Sequence, residues 1–188
     1  MSTKMIARLA VTGAVAVGAA LSGVAVAAAP AAAAPPPRCT GENLSARFVG
    51  PHEGAAGTEF TDVRITNNGT KDCTLQGIPS GRFLRLGTVV GAQSRYVGWE
   101  DSSGQVRLRT VVLDSDGSRA YVRVGIEDAG DFGKGCRPVT PTALRITLPR
   151  SSETVRVPFG SYDVQACTNK KDTQLTVSQF LSHRTTTS

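Results

Sequence analysis

Histidine is nearly missing from this chain of 188 residues: His52 and His183 are the only two. A serine-histidine-carboxylate site needs a histidine held by a buried acid beside a nucleophilic serine. His52 with Glu53 next to it supplies no more than ingredients, and the chain has no Gly-x-Ser-x-Gly elbow. Methionine is confined to Met1 and Met5, so the body of the chain has no thioether for soft-metal chemistry of the copper-chaperone kind. Aromatics make up 5% of the residues, and the single tryptophan, Trp99, stands beside Glu100 and Asp101. A tryptophan platform with two acids suggests sugar hydrolysis, but neighbours on a strand point to opposite faces, so these two acids would not pair across a cleft. No segment carries a sustained helical stripe. These shortages leave no catalytic residues to name, and no cofactor or metal is expected.

The N-terminus is distinctive. Met1 to Arg8 carries Lys4 and Arg8 and no acid, and Leu9 to Ala29 is uncharged and rich in Ala, Val and Gly. This is the layout of a signal peptide, and Ala25-Val26-Ala27 fits its small-residue cleavage site. A membrane anchor would need about 20 apolar residues; the run is long enough, but its Ala/Gly content favours cleavage. A lipoprotein would need a cysteine at the cleavage point, whereas Cys39 comes only after Pro35-Pro36-Pro37-Arg38. The expected organisation is a signal peptide over 1–28, a Pro/Ala-rich extended spacer over 29–38, one domain over 39–183 and a tail over 184–188. Cleavage removes Lys4 and Arg8 and lowers the formal charge from +6 by two. A charge of that size aids solubility and does not announce a nucleic-acid or membrane partner.

The body is cut into short alternating segments by Gly, Pro, Asn and Asp. Asn43–Val49 and Glu59–Asn67 read as strands around a Gly50–Gly57 loop, with Thr61, Val63 and Ile65 on one face and Phe60, Asp62 and Arg64 on the other. Asn67-Asn68-Gly69 closes the second strand, with Asn-Gly suited to positive φ. Arg82–Leu86 is a short strand, and Val89–Trp99 is ambiguous. Val106–Leu113 and Arg119–Ile126 flank the Asp114–Ser118 turn as a hairpin. Val106, Leu108, Thr110 and Val112 share one face of its first strand; Ala120, Val122, Val124 and Ile126 share one face of its second. Leu144, Ile146 and Leu148 alternate, then Val155, Val157 and Phe159 after a turn, and Leu175, Val177 and Gln179 end the series. This is an all-β pattern, a sandwich or barrel.

Four cysteines in an exported chain imply two disulfides, for which three pairings exist. An antiparallel hairpin about the Pro149–Ser152 turn, with opposed residue numbers summing to roughly 303, would set Leu144 opposite Phe159, and extending it sets Cys136 opposite Cys167. The same construction on the first hairpin sets Cys39 a few residues from Cys73. The expected bonds are Cys39–Cys73 and Cys136–Cys167.

Thr66-Asn67-Asn68-Gly69, followed by Cys73-Thr74-Leu75-Gln76-Gly77-Ile78-Pro79, resembles the Thr-Asn-x-Gly and Cys-Thr-Leu-x-Gly-x-Pro motifs of a secreted actinobacterial family known only as a domain of unknown function. The order of Gly54-Ala55-Ala56-Gly57, Ser118-Arg119-Ala120-Tyr121, Cys136 and Cys167 matches as well, from Cys39 to Leu181. Asp116-Gly117 stands where that family often has Pro-Gly. The resemblance implies an immunoglobulin-like β-sandwich of about 7–9 antiparallel strands outside the cell, and it transfers no functional residues. On physical grounds the Cys73–Pro79 stretch is scaffold: Cys73 anchors the loop, Leu75 plugs the core, Gly77 takes an unusual backbone angle and Pro79 stiffens the exit.

Asp114-x-Asp116-Gly117 resembles the start of a calcium loop without the rest of its ligands, and reads better as a turn. Asn68-Gly69-Thr70 is formally a glycosylation sequon and likewise reads as a turn. One surface feature stands out. On the central hairpin Arg107, Arg109, Arg119 and Arg123 face away from the apolar side, with Arg109 set near Arg123. Like charges placed opposite each other are mildly destabilising, so such a patch suits an anionic partner, an envelope polymer or an acidic secreted protein; the plain alternative is a solvated arginine face. The expectation is a secreted, non-enzymatic binding module with no nucleic-acid partner and no membrane span after cleavage. The alternatives are a secreted protease inhibitor presenting a loop such as Gly87–Gln105, and an enzyme with an unrecognised site.

Overall fold

The computed structural model describes residues 34–98 and 105–184. The expected signal peptide, the first half of the spacer, and Trp99, Glu100 and Asp101 lie outside these residues. The alternating segments form thirteen strands: β1 (Leu44–Ala55), β2 (Thr58–Asn67), β3 (Cys73–Gln76), β4 (Ser80–Arg85), β5 (Thr88–Val90), β6 (Arg95–Tyr96), β7 (Thr110–Leu113), β8 (Arg119–Glu127), β9 (Pro138–Val139), β10 (Ala143–Thr147), β11 (Thr154–Pro158), β12 (Ala166–Cys167) and β13 (Leu175–Val177). One sheet runs β1-β2-β8-β13-β6, a second runs β11-β10-β4-β5, and β3-β7 and β9-β12 form two-stranded ribbons. The result is a β-sandwich, antiparallel throughout except where β6 lies parallel to β13. The ambiguous stretch after Val89 thus divides between the two sheets, β5 in one and β6 in the other.

The core is built from the faces that alternation predicts. Val63 and Ile65 of β2, Ala120, Val122 and Val124 of β8, and Leu175 and Val177 of β13 are buried. Leu144 and Ile146 of β10, Val155 and Val157 of β11 and Phe83 of β4 join them in one apolar cluster. Phe159 stacks on Phe48 with ring centroids 5.1 Å apart. Burying side chains of this size contributes about 1.5–3 kcal/mol each before entropy is counted.

Both expected disulfides are present, Cys39–Cys73 and Cys136–Cys167. The geometry that joins them differs from the extrapolated hairpins. Leu144 faces Val157, not Phe159, and Cys167 lies in the separate ribbon opposite Pro138. Cys39 does not continue β1. A 3-10 turn at Gly41–Asn43 redirects the chain, and Cys39 donates its N–H to Thr74 O (3.0 Å), beside a parallel bridge from Arg38 to Thr74. Each bond closes a loop of about thirty residues, worth about 3–4 kcal/mol in the chain-entropy picture.

Three expectations about the chain path are corrected. The first loop is strand: β1 continues to Ala55, its register shifts between Val49 and Glu53, and the turn is Ala56-Gly57, with φ 47° and 79°. The shift absorbs Gly50-Pro51, since proline cannot donate to a ladder. The central hairpin is not a ladder: β7 pairs with β3, and β8 pairs with β2 and β13. The Asp114–Gly117 turn forms, with Gly117 at φ 105°, but it carries the chain between sheets. In β7 the buried residues are Val111 and Leu113, while Leu108 and Val112 are 44% and 45% exposed. With three consecutive apolar residues, Val111-Val112-Leu113, the alternation had no unique phase.

The third correction concerns Asn67-Asn68-Gly69, none of which takes a positive φ. The Asn67 side chain makes the turn instead. Its Oδ1 accepts from Gly69 N–H (2.9 Å), and its amide donates to Lys71 O (2.8 Å) and Leu113 O (3.1 Å). This buried amide ties the end of β2 to the end of β7. Gly77 does need its freedom, at φ 104° with Pro149 Cβ 3.0 Å from where its own Cβ would lie. Asn67→Ala orphans a donor and two acceptors and is expected to cost about 2–3 kcal/mol, read as a lower urea midpoint with an unchanged slope. An unchanged midpoint would show that the amide is not structural.

Candidate functional site

Residues of opposite parity to the core face outward from the five-stranded sheet. On β1 these include Ser45 and Arg47; on β2, Phe60, Asp62, Arg64 and Thr66; on β8, Arg119, Tyr121 and Arg123. Their register is set by the ladders: Arg47 lies opposite Arg64, Arg64 opposite Tyr121, Thr66 opposite Arg119 and Asp62 opposite Arg123.

One end of this face is neutralised. Arg123 donates to Glu53 Oε2 (3.1 Å) and lies over the Phe60 ring, 5.1 Å from its centroid. Phe60 in turn covers Gly125, whose added Cβ would sit 2.8 Å from that ring and 2.4 Å from Thr176 Oγ1. Asp62, 4% exposed, accepts from Arg184 Nε at 3.4 Å. Leu181 bridges Tyr121 of β8, whereas the Arg184 guanidinium lies against Gly50 of β1. The last described residues therefore cross three strands and bury Asp62 beneath them. Burial pushes the Asp62 carboxyl above its usual range, an effect opposed by the Arg184 hydrogen bond and the Arg123 and Arg184 charges and reinforced by Glu53.

The other end is not neutralised. Among the described residues, Arg47, Arg64 and Arg119 have no ion pair. Arg47 and Arg119 are exposed; Arg64, between them, is half-buried, and its Nε is buried without a hydrogen-bond partner. Desolvation and then the charges of Arg47 and Arg119 lower the Arg64 pKa. Tyr121 sits opposite Arg64 and Thr66 opposite Arg119 in the ladders, and no acid faces the group there.

The structure redistributes the arginines singled out from the sequence. Arg119 and Arg123 share the outer face of β8 with Tyr121 between them. Arg107 and Arg109 precede β7 in another ribbon, so no hairpin register sets Arg109 opposite Arg123. Arg109 N–H donates to Gln179 Oε1 (3.2 Å), and Arg123 N–H donates to Ser178 Oγ (2.9 Å). Arg47 and Arg64 were missed as a pair. Their outward parity was readable, but the register that joins them depends on the shift near Gly50-Pro51.

The remaining candidates are held by the scaffold. Glu53 binds Arg123. His52 falls within β1, and His183 is exposed with Nδ1 3.0 Å from Ser182 Oγ. Asp114 and Asp116 belong to the turn, where Ser115 N–H donates to Asp72 Oδ1 (2.8 Å). Asn68 is exposed, its Oδ1 accepting from Ser45 Oγ (3.2 Å). A polar cleft of about 620 Å³ opens where the β1–β2 turn meets the end of β8. Two of its acids are used locally: Glu127 pairs with Arg95, and Asp128 Oδ1 accepts from Gly130 N–H (2.7 Å). Among the described residues no group of three or more His, Cys, Asp or Glu is placed to hold a metal, and no helix is long and apolar enough to cross a membrane.

Residues 39–181 match the family model described as Domain of unknown function (DUF4232). The chain belongs to that family. No curated protein and no solved structure matches it. The matched span of this DUF4232 domain starts at Cys39 of the first disulfide and ends at Leu181, the residue that bridges β8. It therefore takes in both disulfides, both sheets and Arg47, Arg64 and Arg119.

Asp62 provides a pH test of this face. A carboxyl with a raised folded pKa binds its proton more tightly in the folded chain, so its contribution favours the fold at low pH and is lost as pH rises through the folded value. Asp62→Asn is therefore expected to gain stability relative to the parent as pH rises from about 3 to about 7, read from urea midpoints at each pH. A difference that stays constant across this range would contradict the assignment.

Proposed function

We propose that the chain is a secreted, non-enzymatic binding module that attaches to an anionic component at or beyond the cell envelope, through the outer face of its five-stranded sheet. The observation that carries the reading is the division of that face. The same sheet supplies carboxylates to Arg123 and Arg184 and none to Arg47, Arg64 and Arg119. Arg47 opposite Arg64 is unfavourable for the fold by itself, and a partner that supplies negative charge offsets that cost. Export is supported by the leader pattern and by two disulfides, which persist in oxidising compartments. The inhibitor alternative draws less support: the Gly87–Gln105 stretch includes β5 and β6, which are tied into the two sheets, and the β4–β5 connection is a tight turn at Leu86-Gly87 with φ 49° and 84°.

The test is retention of the purified protein on the washed cell-envelope fraction of its own producer, followed by crosslinking to identify the partner. The parent chain is expected to be retained, and increasingly released as salt screens the interaction. Arg47→Glu with Arg119→Glu is expected to abolish retention. A parent that is not retained would overturn the reading, and a charge-reversed variant retained as well as the parent would remove this face from it.

A further inference from the structure

The unpaired arginines define more than a basic surface, and their placement narrows the chemistry of what they bind. Arg47 and Arg64 are directly opposed across the β1–β2 ladder. Arg119 is opposite Thr66, two residues along β2 from Arg64, so it approaches Arg64 on the diagonal, at roughly 7–8 Å between backbones. Three guanidiniums thus converge from three adjacent strands, about 5 Å apart from strand to strand. The middle one is the most shielded, and its buried Nε lacks an acceptor. Hydroxyl groups of Thr66 and Tyr121 border the same patch, and these can donate to an anion without adding negative charge.

We infer that Arg47, Arg64 and Arg119 form a binding site for tetrahedral oxyanions, phosphate or sulfate groups carried by a polymer. This rests on the binding-module reading above and names the chemistry of its ligand. A carboxylate presents two oxygens in one plane and one charge, which suits a single arginine fork. A sulfate ester or terminal phosphate presents three free oxygens in different directions, and each internal unit of a polyphosphate presents two with those of the next unit close by, so either can meet donors that arrive from three strands. Strand positions are also rigid, so the backbone positions that carry the three guanidiniums are held close together before binding. The half-buried Arg64 strengthens the site, because a charge-assisted bond there forms with less competition from water.

The experiment is calorimetric titration of the purified protein with three probes: linear polyphosphate, heparin and poly-glutamate. Polyphosphate and heparin are expected to bind, with poly-glutamate at least about tenfold weaker. Either order between the first two supports the site and tells whether phosphate or sulfate is preferred. Arg47→Gln, Arg64→Gln and Arg119→Gln combined are expected to lower affinity about tenfold or more for both. Their melting temperature should be unchanged or higher, because like-charge repulsion is relieved; a merely structural role would lower it. Arg85→Gln, at an exposed position on the other sheet, should bind like the parent. Equal binding by the triple variant would overturn the site, and equal binding of poly-glutamate would overturn the oxyanion assignment. Envelope retention without polyphosphate or heparin binding would leave the module reading standing while this inference falls.

Discussion

Strand β8 is the element on which the rest of the molecule depends. It pairs along its length with β2 and at its far half with β13, and Ala120, Val122 and Val124 beneath it are fully buried. A strand with both edges occupied cannot also receive β7. The chain leaving β7 through the Asp114–Gly117 turn must therefore change layers. That change leaves β7 to pair with β3, whose position is set by Cys73 and by the Asn67 amide reaching Leu113 O. The sheet order and the two-sheet connection near the first disulfide thus follow from one strand's pairing.

The same strand determines the surface. Inward parity for Ala120 and Val122 forces Arg119, Tyr121 and Arg123 outward, and pairing with β2 places them against Asp62, Arg64 and Thr66. The sheet then meets its positive charge in two ways. Toward the Glu127 end, the carboxylates of Glu53 and Asp62 balance Arg123 and the crossing Arg184. Toward the Arg119 end, the ladder neighbours are hydroxyl groups and no carboxylate. A structural need for arginines would be met equally well by pairing them, as Glu53 pairs with Arg123. An unneutralised cross-strand Arg–Arg pair is a local conflict of the kind that natural sequences keep at functional sites.

Much of the fold was legible because burial on one face leaves a period of two. Thr61-Val63-Ile65, the β8 series, Leu144-Ile146-Leu148 and Val155-Val157-Phe159 all face the core as read. The disulfide pairs were read correctly through hairpin registers that are not the ones formed. Those registers were drawn by assuming strands end where glycine and proline appear, whereas β1 passes Gly50-Pro51 with a register shift. In Val111-Val112-Leu113 both phases are apolar, so which neighbour β7 chooses is decided by tertiary pairing. Short strands such as β3, β9 and β12 have too few residues for a period and exist because disulfides and neighbours hold them.

The candidate site was legible in kind but not in membership, for a connected reason. Outward parity identified arginines on strands, including Arg119, and placed Arg64 away from the core. Which arginines converge is a question of register, and register is sensitive to the irregularities that composition signals only as loops. Counting from a turn centred on Gly50–Gly57 places Arg47 opposite Phe60; the observed turn at Ala56-Gly57, with the shift after Val49, places it opposite Arg64. The four-residue difference along β2 preserves the face and changes the neighbour. It replaces the expected arginine–aromatic pair with the like-charged pair at the centre of the proposed site; without the shift the observed turn would set Arg47 opposite Thr66, so the irregularity in β1 is what brings Arg47 and Arg64 directly opposite.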